Sequence, residues 1–186
     1  MPKLVIKPGA AVLAGLLFYF IDPGDLLPIL LPVVAHELGH CFTLRMFGCR
    51  ITGVEAEIGG LFIRFAGELS KTQEVMASAA GPLAGLLYAA AAKGFGQSGL
   101  YSAGISLLLT AVNLIPCLPL DGGRIASALL GARASMYLGH ISAVTIAMLG
   151  AWLFVTGRGA ALLLTGILLL SGLRRSYGSS SAMSPD

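Results

Sequence analysis

Residues 26–47 read LLPILLPVVAHELGHCFTLRMF, and how this stretch folds decides the rest of the chain. Its length and apolar content suit a helix crossing a bilayer, which takes about 20 such residues. Within it stand His36, Glu37 and His40. On a helix, residues four apart lie one turn above each other on the same face. His36 and His40 can therefore offer two imidazole nitrogens to one metal ion, with Glu37 projecting beside them. This is the H-E-x-x-H spacing, in which two histidines hold zinc and the glutamate serves as general base. Ionisable side chains are costly inside lipid and mark a working site by default. The alternative is that the three are tied up in packing or hydrogen bonds.

The whole composition agrees with a membrane setting. Hydrophobic residues make up 56% of the 186, charged residues 11%, and the mean hydropathy is +0.85; soluble domains carry about 25% charged residues. The length leaves room for about six spanning helices and no separate soluble domain. Expected spans are Gly9 (or Leu4) to Ile21, Leu26 to Phe47, Thr72 to Ala92, Gly99 to Ile115, Tyr137 to Thr156, and Gly159 to Leu173. The first ends in Phe-Tyr-Phe-Ile-Asp-Pro rather than at small residues, so it reads as a retained span and not a cleaved signal. Cys41, Cys49 and Cys117 are odd in number and read as small apolar residues, not a disulfide framework. The expectation is one domain over 1–175 and a disordered polar tail over 176–186.

Two segments break the helical pattern. Ile51 to Ala66 is rich in β-branched and aromatic residues around Gly59-Gly60, which reads as a two-residue hairpin turn. That register sets Ile58 opposite Leu61 and Glu55 opposite Arg64. The hairpin is either an ordinary exposed one or, through its unpaired edge, a clamp for an extended substrate, with Gly59 and Gly60 at its tip. The second break is Asn113-Leu-Ile-Pro116-Cys-Leu-Pro119-Leu-Asp121-Gly122-Gly123-Arg124, whose prolines and glycines cannot continue a regular helix. The fold class is thus an all-α integral membrane protein of six transmembrane helices. A short membrane-associated hairpin follows the second helix and a broken-helix loop the fourth. The stripe Ala77, Gly81 and Gly85 reads as close helix packing.

Counting lysines and arginines orients the spans. With the N-terminus inside, ten basic residues fall inside and two, Lys93 and Arg158, outside. The metal helix end, the hairpin and the Asp121 loop then share the cytoplasmic side, as do both termini. Catalytic zinc sites use three protein ligands and keep a fourth position open. Asp121 is the candidate third ligand; its alternative role is a helix N-cap. The chemistry implied is metal-assisted amide hydrolysis, with Glu37 taking the water's proton and passing it to the departing amine. Asn113 is a candidate donor to substrate or oxyanion, or to a neighbouring helix, and Pro119 is a further candidate at the substrate side. His140 is expected to be a non-ligand. A zinc-carrying scaffold without hydrolysis would not need Glu37. A zinc transporter would need ionisable residues along several spans.

His36-Glu37-x-x-His40, Ala80-Gly81-Pro82-Leu83 and the Asn113–Gly123 segment together resemble the site-2 protease family of intramembrane zinc metalloproteases. The resemblance implies zinc held by His36, His40 and Asp121, with Glu37 the catalytic carboxylate. It also implies a cytoplasmic-side active site in a bacterial cytoplasmic membrane and regulated cleavage of membrane-spanning substrates such as a pro-sigma or anti-sigma factor. A regulatory membrane protein is a candidate partner; nucleic acid is not expected. The short hairpin and lack of an inserted PDZ module are most similar to the stage-four sporulation subgroup, here expected without its CBS domain.

Overall fold

The computed structural model describes residues 3–57 and 60–181. It is mostly helical, with one small sheet, and divides into two compact units, residues 1–112 and 113–186. The first unit contains strand β1 (Lys3–Ile6), helices α1 (Pro8–Phe20) and α2 (Pro23–Met46), strands β2 (Arg50–Glu57) and β3 (Gly60–Ala66), and helices α3 (Lys71–Ala92) and α4 (Gly96–Asn113). The second contains α5 (Asp121–Leu130), α6 (Ala132–Val155) and α7 (Ala161–Ser181).

Helix α2 is built inside out. Pro32, His36, His40 and Leu44, every fourth residue, are buried. Two positions along, Leu30, Val34, Leu38, Phe42 and Met46 are exposed. A helix with imidazoles inward and large apolar side chains outward is stable only where its outer solvent is apolar. Pro28 and Pro32 lie within the helix rather than in its first turn. Because Pro32 has no N–H, the carbonyl of Pro28 loses its helical partner. Ser102 on α4 repairs the gap by donating its hydroxyl to Pro28 O at 2.7 Å, and Tyr88 on α3 in turn donates to Ser102 Oγ at 2.7 Å. Ser102→Ala leaves a carbonyl and a phenol without partners, and should cost about 1–3 kcal/mol of stability. Unfolding of the detergent-solubilised protein checks this; unchanged stability would remove the repair from the account.

Helix α3 starts at a capping box: Ser70 Oγ accepts from Gln73 N at 3.3 Å while Gln73 Oε1 accepts from Ser70 N at 2.9 Å. Helix α3 packs on α2, and its buried residues include the small stripe Ala77, Gly81 and Gly85, while Ala89 clusters with Ala103 of α4. A methyl at Gly39 of α2 would stand 2.8 Å from Ala84 Cβ, so the glycine between the two histidines is what lets the backbones approach. Gly96, at φ +69°, turns the chain back. Ser106 Oγ then donates to Gly85 O at 2.8 Å, and Gly99 packs on Phe95. The long apolar stretch Lys71–Asn113 is therefore a helical hairpin. Among the described residues, this stretch, Pro23–Met46 and Ala132–Val155 are the three that are long and apolar enough to cross a membrane; Pro8–Phe20 and Ala161–Leu173 are shorter apolar helices.

The sheet corrects the sequence reading twice. Residues 3–6 are not the start of the first span: they form β1, which pairs parallel with β2 in a three-stranded sheet ordered β1-β2-β3. Gly53 makes this possible, since a methyl there would come within 2.7 Å of Lys3 O. The hairpin register also differs. Glu57 pairs with Gly60 and Glu55 with Phe62, while Arg64 lies opposite Gly53. Leu61 pairs with Ala56, and Ile58, expected opposite Leu61, lies with Gly59 outside the described residues. Glu55 and Arg64 still meet, through diagonal reach on one face: Arg64 Nε and Nη2 stand 2.7 and 2.8 Å from the two carboxylate oxygens. The Arg64 guanidinium holds the Glu55 carboxyl below its usual range. Lys7 pairs with Glu57. The sheet is anchored by Ile63 and Phe65, which pack on Leu44, Cys49 and Ala77 at the end of α2 and start of α3.

In the second unit, Cys117, Ala143, Leu169 and Leu173 form the core. Gly150 and Gly166 bring α6 and α7 into close contact. Helix α5 is not among the expected spans: the sequence reading takes Asn113 to Arg124 as a break, with a helix start at Asp121 only as the alternative. Gly122 and Gly123 are in fact helical, and a methyl on either would collide with the backbone of Leu114–Ile115 or Cys117–Leu118. These glycines serve close approach, not opening. The final helix runs to Ser181.

Candidate metal centre

His36 and His40 are the deepest polar residues of α2, 3% and 8% exposed. Their rings meet edge to face, with Nε2 atoms 3.3 Å apart. His40 Nδ1 lies 2.7 Å from the carbonyl of Ala77 on α3. A carbonyl only accepts, so in the neutral ring Nδ1 carries the proton and Nε2 presents its lone pair toward His36. Two nitrogen ligands of a tetrahedral zinc, each at about 2.0–2.1 Å, stand about 3.3 Å from each other. The imidazole pair fits one edge of such a site.

The floor beneath them is Gly81. A methyl there would stand 2.6 Å from His40 Cε1 and 2.7 Å from His36 Nε2, and would also strike His40 Nε2. Only the missing side chain leaves room for both rings and an ion between them. Gly81 is a site residue that the sequence reading treats as helix packing. Its signal, the step-of-four small stripe, is the same for both roles. Glu37 is half-buried, one residue after His36 on the same helix.

The remaining candidates stand on other elements. Asp121 is 6% exposed and opens α5. The N-cap position of that helix is Leu120, which places Asp121 in its first turn. Asn113 ends α4 and is half-buried, whereas Pro119 is exposed in the following loop. Gly60 opens β3 at φ +130°, exposed; Gly59 lies outside the described residues. His140 is exposed and its Nδ1 bonds Met136 O within its own helix. All three cysteines are free. Burial pushes the Cys117 thiol up to about 11, which keeps it protonated and a poor ligand.

A family model described as Peptidase family M50 matches residues 57–157, more than half of the chain. The chain belongs to peptidase family M50. The matched stretch takes in the α3 stripe and the Asn113–Gly123 segment, while the His-Glu-x-x-His helix of this M50 chain precedes it. The zinc metalloprotease MJ0392 of Methanocaldococcus jannaschii is 29% identical over 141 residues, covering 70% of this chain and 40% of that protein. Rip3 of Mycobacterium tuberculosis is 27% identical over 169 residues, covering 77% and 42%. The chain thus spans about two fifths of the length of these curated relatives. Among solved structures, the site-2 protease from Methanocaldococcus jannaschii matches with a TM-score of 0.66 at 22% identity, over 89% of this chain and 84% of that one. At that identity the likeness is one of fold, and it extends to nearly the whole M50 chain.

Proposed function

We propose that this M50 chain is an intramembrane zinc metalloprotease that hydrolyses a peptide bond in or near a transmembrane segment of a membrane-bound substrate. The observation that carries the reading is the buried imidazole pair, its Nε2 atoms 3.3 Å apart over a glycine, with Glu37 beside it. His36, His40 and Asp121 would hold the ion: two imidazoles and a carboxylate, all buried, are a donor set that can bind a metal. Bound zinc supplies a polarised scissile carbonyl and a water acidic enough to ionise near neutral pH. Glu37 accepts the proton of the attacking water and returns it to the departing amine. Asn113 donates to the substrate backbone or oxyanion, and Pro119 borders the substrate.

In this reading α1, α2, α3, α4, α6 and α7 are six spans of a single membrane domain over residues 1–175. Both termini face the cytoplasm of a bacterial cell, supported by the ten-to-two distribution of basic residues. The relative named a zinc metalloprotease supports the chemistry.

A peptide bond inside a transmembrane helix has its carbonyl already bonded within the helix, so substrate must unwind before attack. We assign the sheet, at the end next to Gly59 and Gly60, to holding the unwound strand by β-augmentation. Because β1 covers β2, the free edge of the hairpin itself is the outer edge of β3, and we assign substrate to it. The test is co-expression with a model single-span substrate. Wild type should cleave and His36→Ala should not; no cleavage of any of a panel of single-span substrates by zinc-loaded wild type would refute the proposal. For the clamp, proline is placed at Phe62 and at Ile63, neighbours of which one directs its N–H outward. That variant should keep zinc and lose cleavage; full cleavage by both would remove the clamp.

A further inference from the structure

His40 has a clear orienting partner in Ala77 O, and metal-binding imidazoles need one on each ring, because it fixes the tautomer and the ring plane. On the far side of the pair, α3 and α4 provide the counterpart. Gly85, one turn beyond Gly81, lacks the side chain that would separate α4 from the histidines. A methyl there would stand 2.6 Å from Thr110 Oγ1, 3.4 Å from Ser106 Oγ and 3.9 Å from His36 Nδ1. Three polar atoms therefore surround one spot at the buried junction of α2, α3 and α4. Ser106 is already committed, donating to Gly85 O at 2.8 Å. Thr110 is 4% exposed and its hydroxyl has no hydrogen-bond partner. A buried hydroxyl in that state is costly and calls for an explanation.

We propose that Thr110 is a positioning residue for the metal centre: one water above Gly85 accepts the Nδ1–H of His36 and donates to the Thr110 hydroxyl oxygen. The space has the two or more polar neighbours that a buried water requires. With Thr110 on one ring and Ala77 O on the other, both imidazoles are held in the Nδ1–H tautomer, and both Nε2 lone pairs point to the same place. The residue touches neither substrate nor ion; it acts through His36. The inference rests on the metal reading given above.

The test compares Thr110→Val, which keeps the shape and removes the hydroxyl, with Thr110→Ser, which keeps the hydroxyl. Zinc affinity of the full-length chain is measured in detergent by competition with a chelator, and thermal stability of the metal-free protein is measured alongside. Thr110→Val should bind zinc about 10- to 100-fold more weakly, and Thr110→Ser should bind within a few-fold of wild type. Metal-free Thr110→Val should be at least as stable as wild type, since it buries no unsatisfied hydroxyl. Equal zinc affinity in wild type and Thr110→Val, or an equal loss in both variants, would overturn the positioning role while leaving the metal reading intact. A wild-type chain that binds no zinc overturns both. If Thr110→Val does not fold, Gly85→Ala is the second probe. Its methyl fills the same spot and should lower zinc affinity in the same range; unchanged affinity there overturns the inference.

Discussion

Glu37→Gln should leave the protein loaded with zinc and stop it cleaving. The substitution keeps the shape of the side chain and removes only its ability to take a proton. Glu37 is not one of the two α2 imidazoles that face each other, so the donors to the ion are untouched. What is lost is the transfer of a proton from water to the leaving amine, a step worth about 10²- to 10⁴-fold in rate. A co-expressed single-span substrate should remain uncut, with zinc per chain equal to wild type. Normal cleavage by this variant would show that Glu37 has another role. Loss of both zinc and cleavage would mean that the carboxylate belongs among the ligands.

The second large effect is expected at Gly81→Ala, a residue that carries no chemistry. The added methyl would stand 2.6 Å from His40 Cε1 and 2.7 Å from His36 Nε2. Carbon cannot approach so closely, and both rings sit against packed helices, so the imidazoles must swing away from their shared focus. Zinc affinity should fall by at least about 100-fold, beyond the loss of an orienting partner alone, and cleavage with it. Folding of the metal-free chain should not suffer in proportion. Alanine gains about 0.5–1 kcal/mol over glycine inside a helix, which offsets part of the displacement. A selective loss of metal with the metal-free fold retained is thus the signature of a cradle. Equal loss of both would reduce Gly81 to a packing residue, as its place in the Ala77–Gly85 stripe first suggests.

The parts of the fold that follow a local period are legible in the sequence. The α2 histidines are legible because one helical turn brings residues 36 and 40 together whatever the rest of the chain does. Helices α1 to α4 are found to within three residues at either end for the same reason. What escapes is decided by partners distant in sequence. Residues 3–6 look like the apolar start of a helix, and only β2, some fifty residues on, makes them a strand. The Gly59-Gly60 pair points to a turn but not to its register, because Gly60 is used for its φ of +130° at the first strand position and not as a turn residue. The Glu55–Arg64 pair survives that shift only because both side chains are long enough to reach diagonally. In α5, adjacent glycines after two prolines read as a break. They are instead the condition for laying a helix turn against the 114–118 backbone. Gly81 and Thr110 show the same limit at the site: a small residue and a hydroxyl take on meaning only when a second helix brings an imidazole to them.

The most direct measurement is zinc content by elemental analysis of the purified chain, wild type beside Asp121→Ala. A stoichiometric zinc in wild type and its loss in Asp121→Ala, with the helical content of both unchanged, is the predicted result. A wild-type chain that purifies without zinc and does not take it up, or an Asp121→Ala chain that holds zinc as tightly as wild type, would contradict a centre made of two α2 imidazoles and the α5 carboxylate.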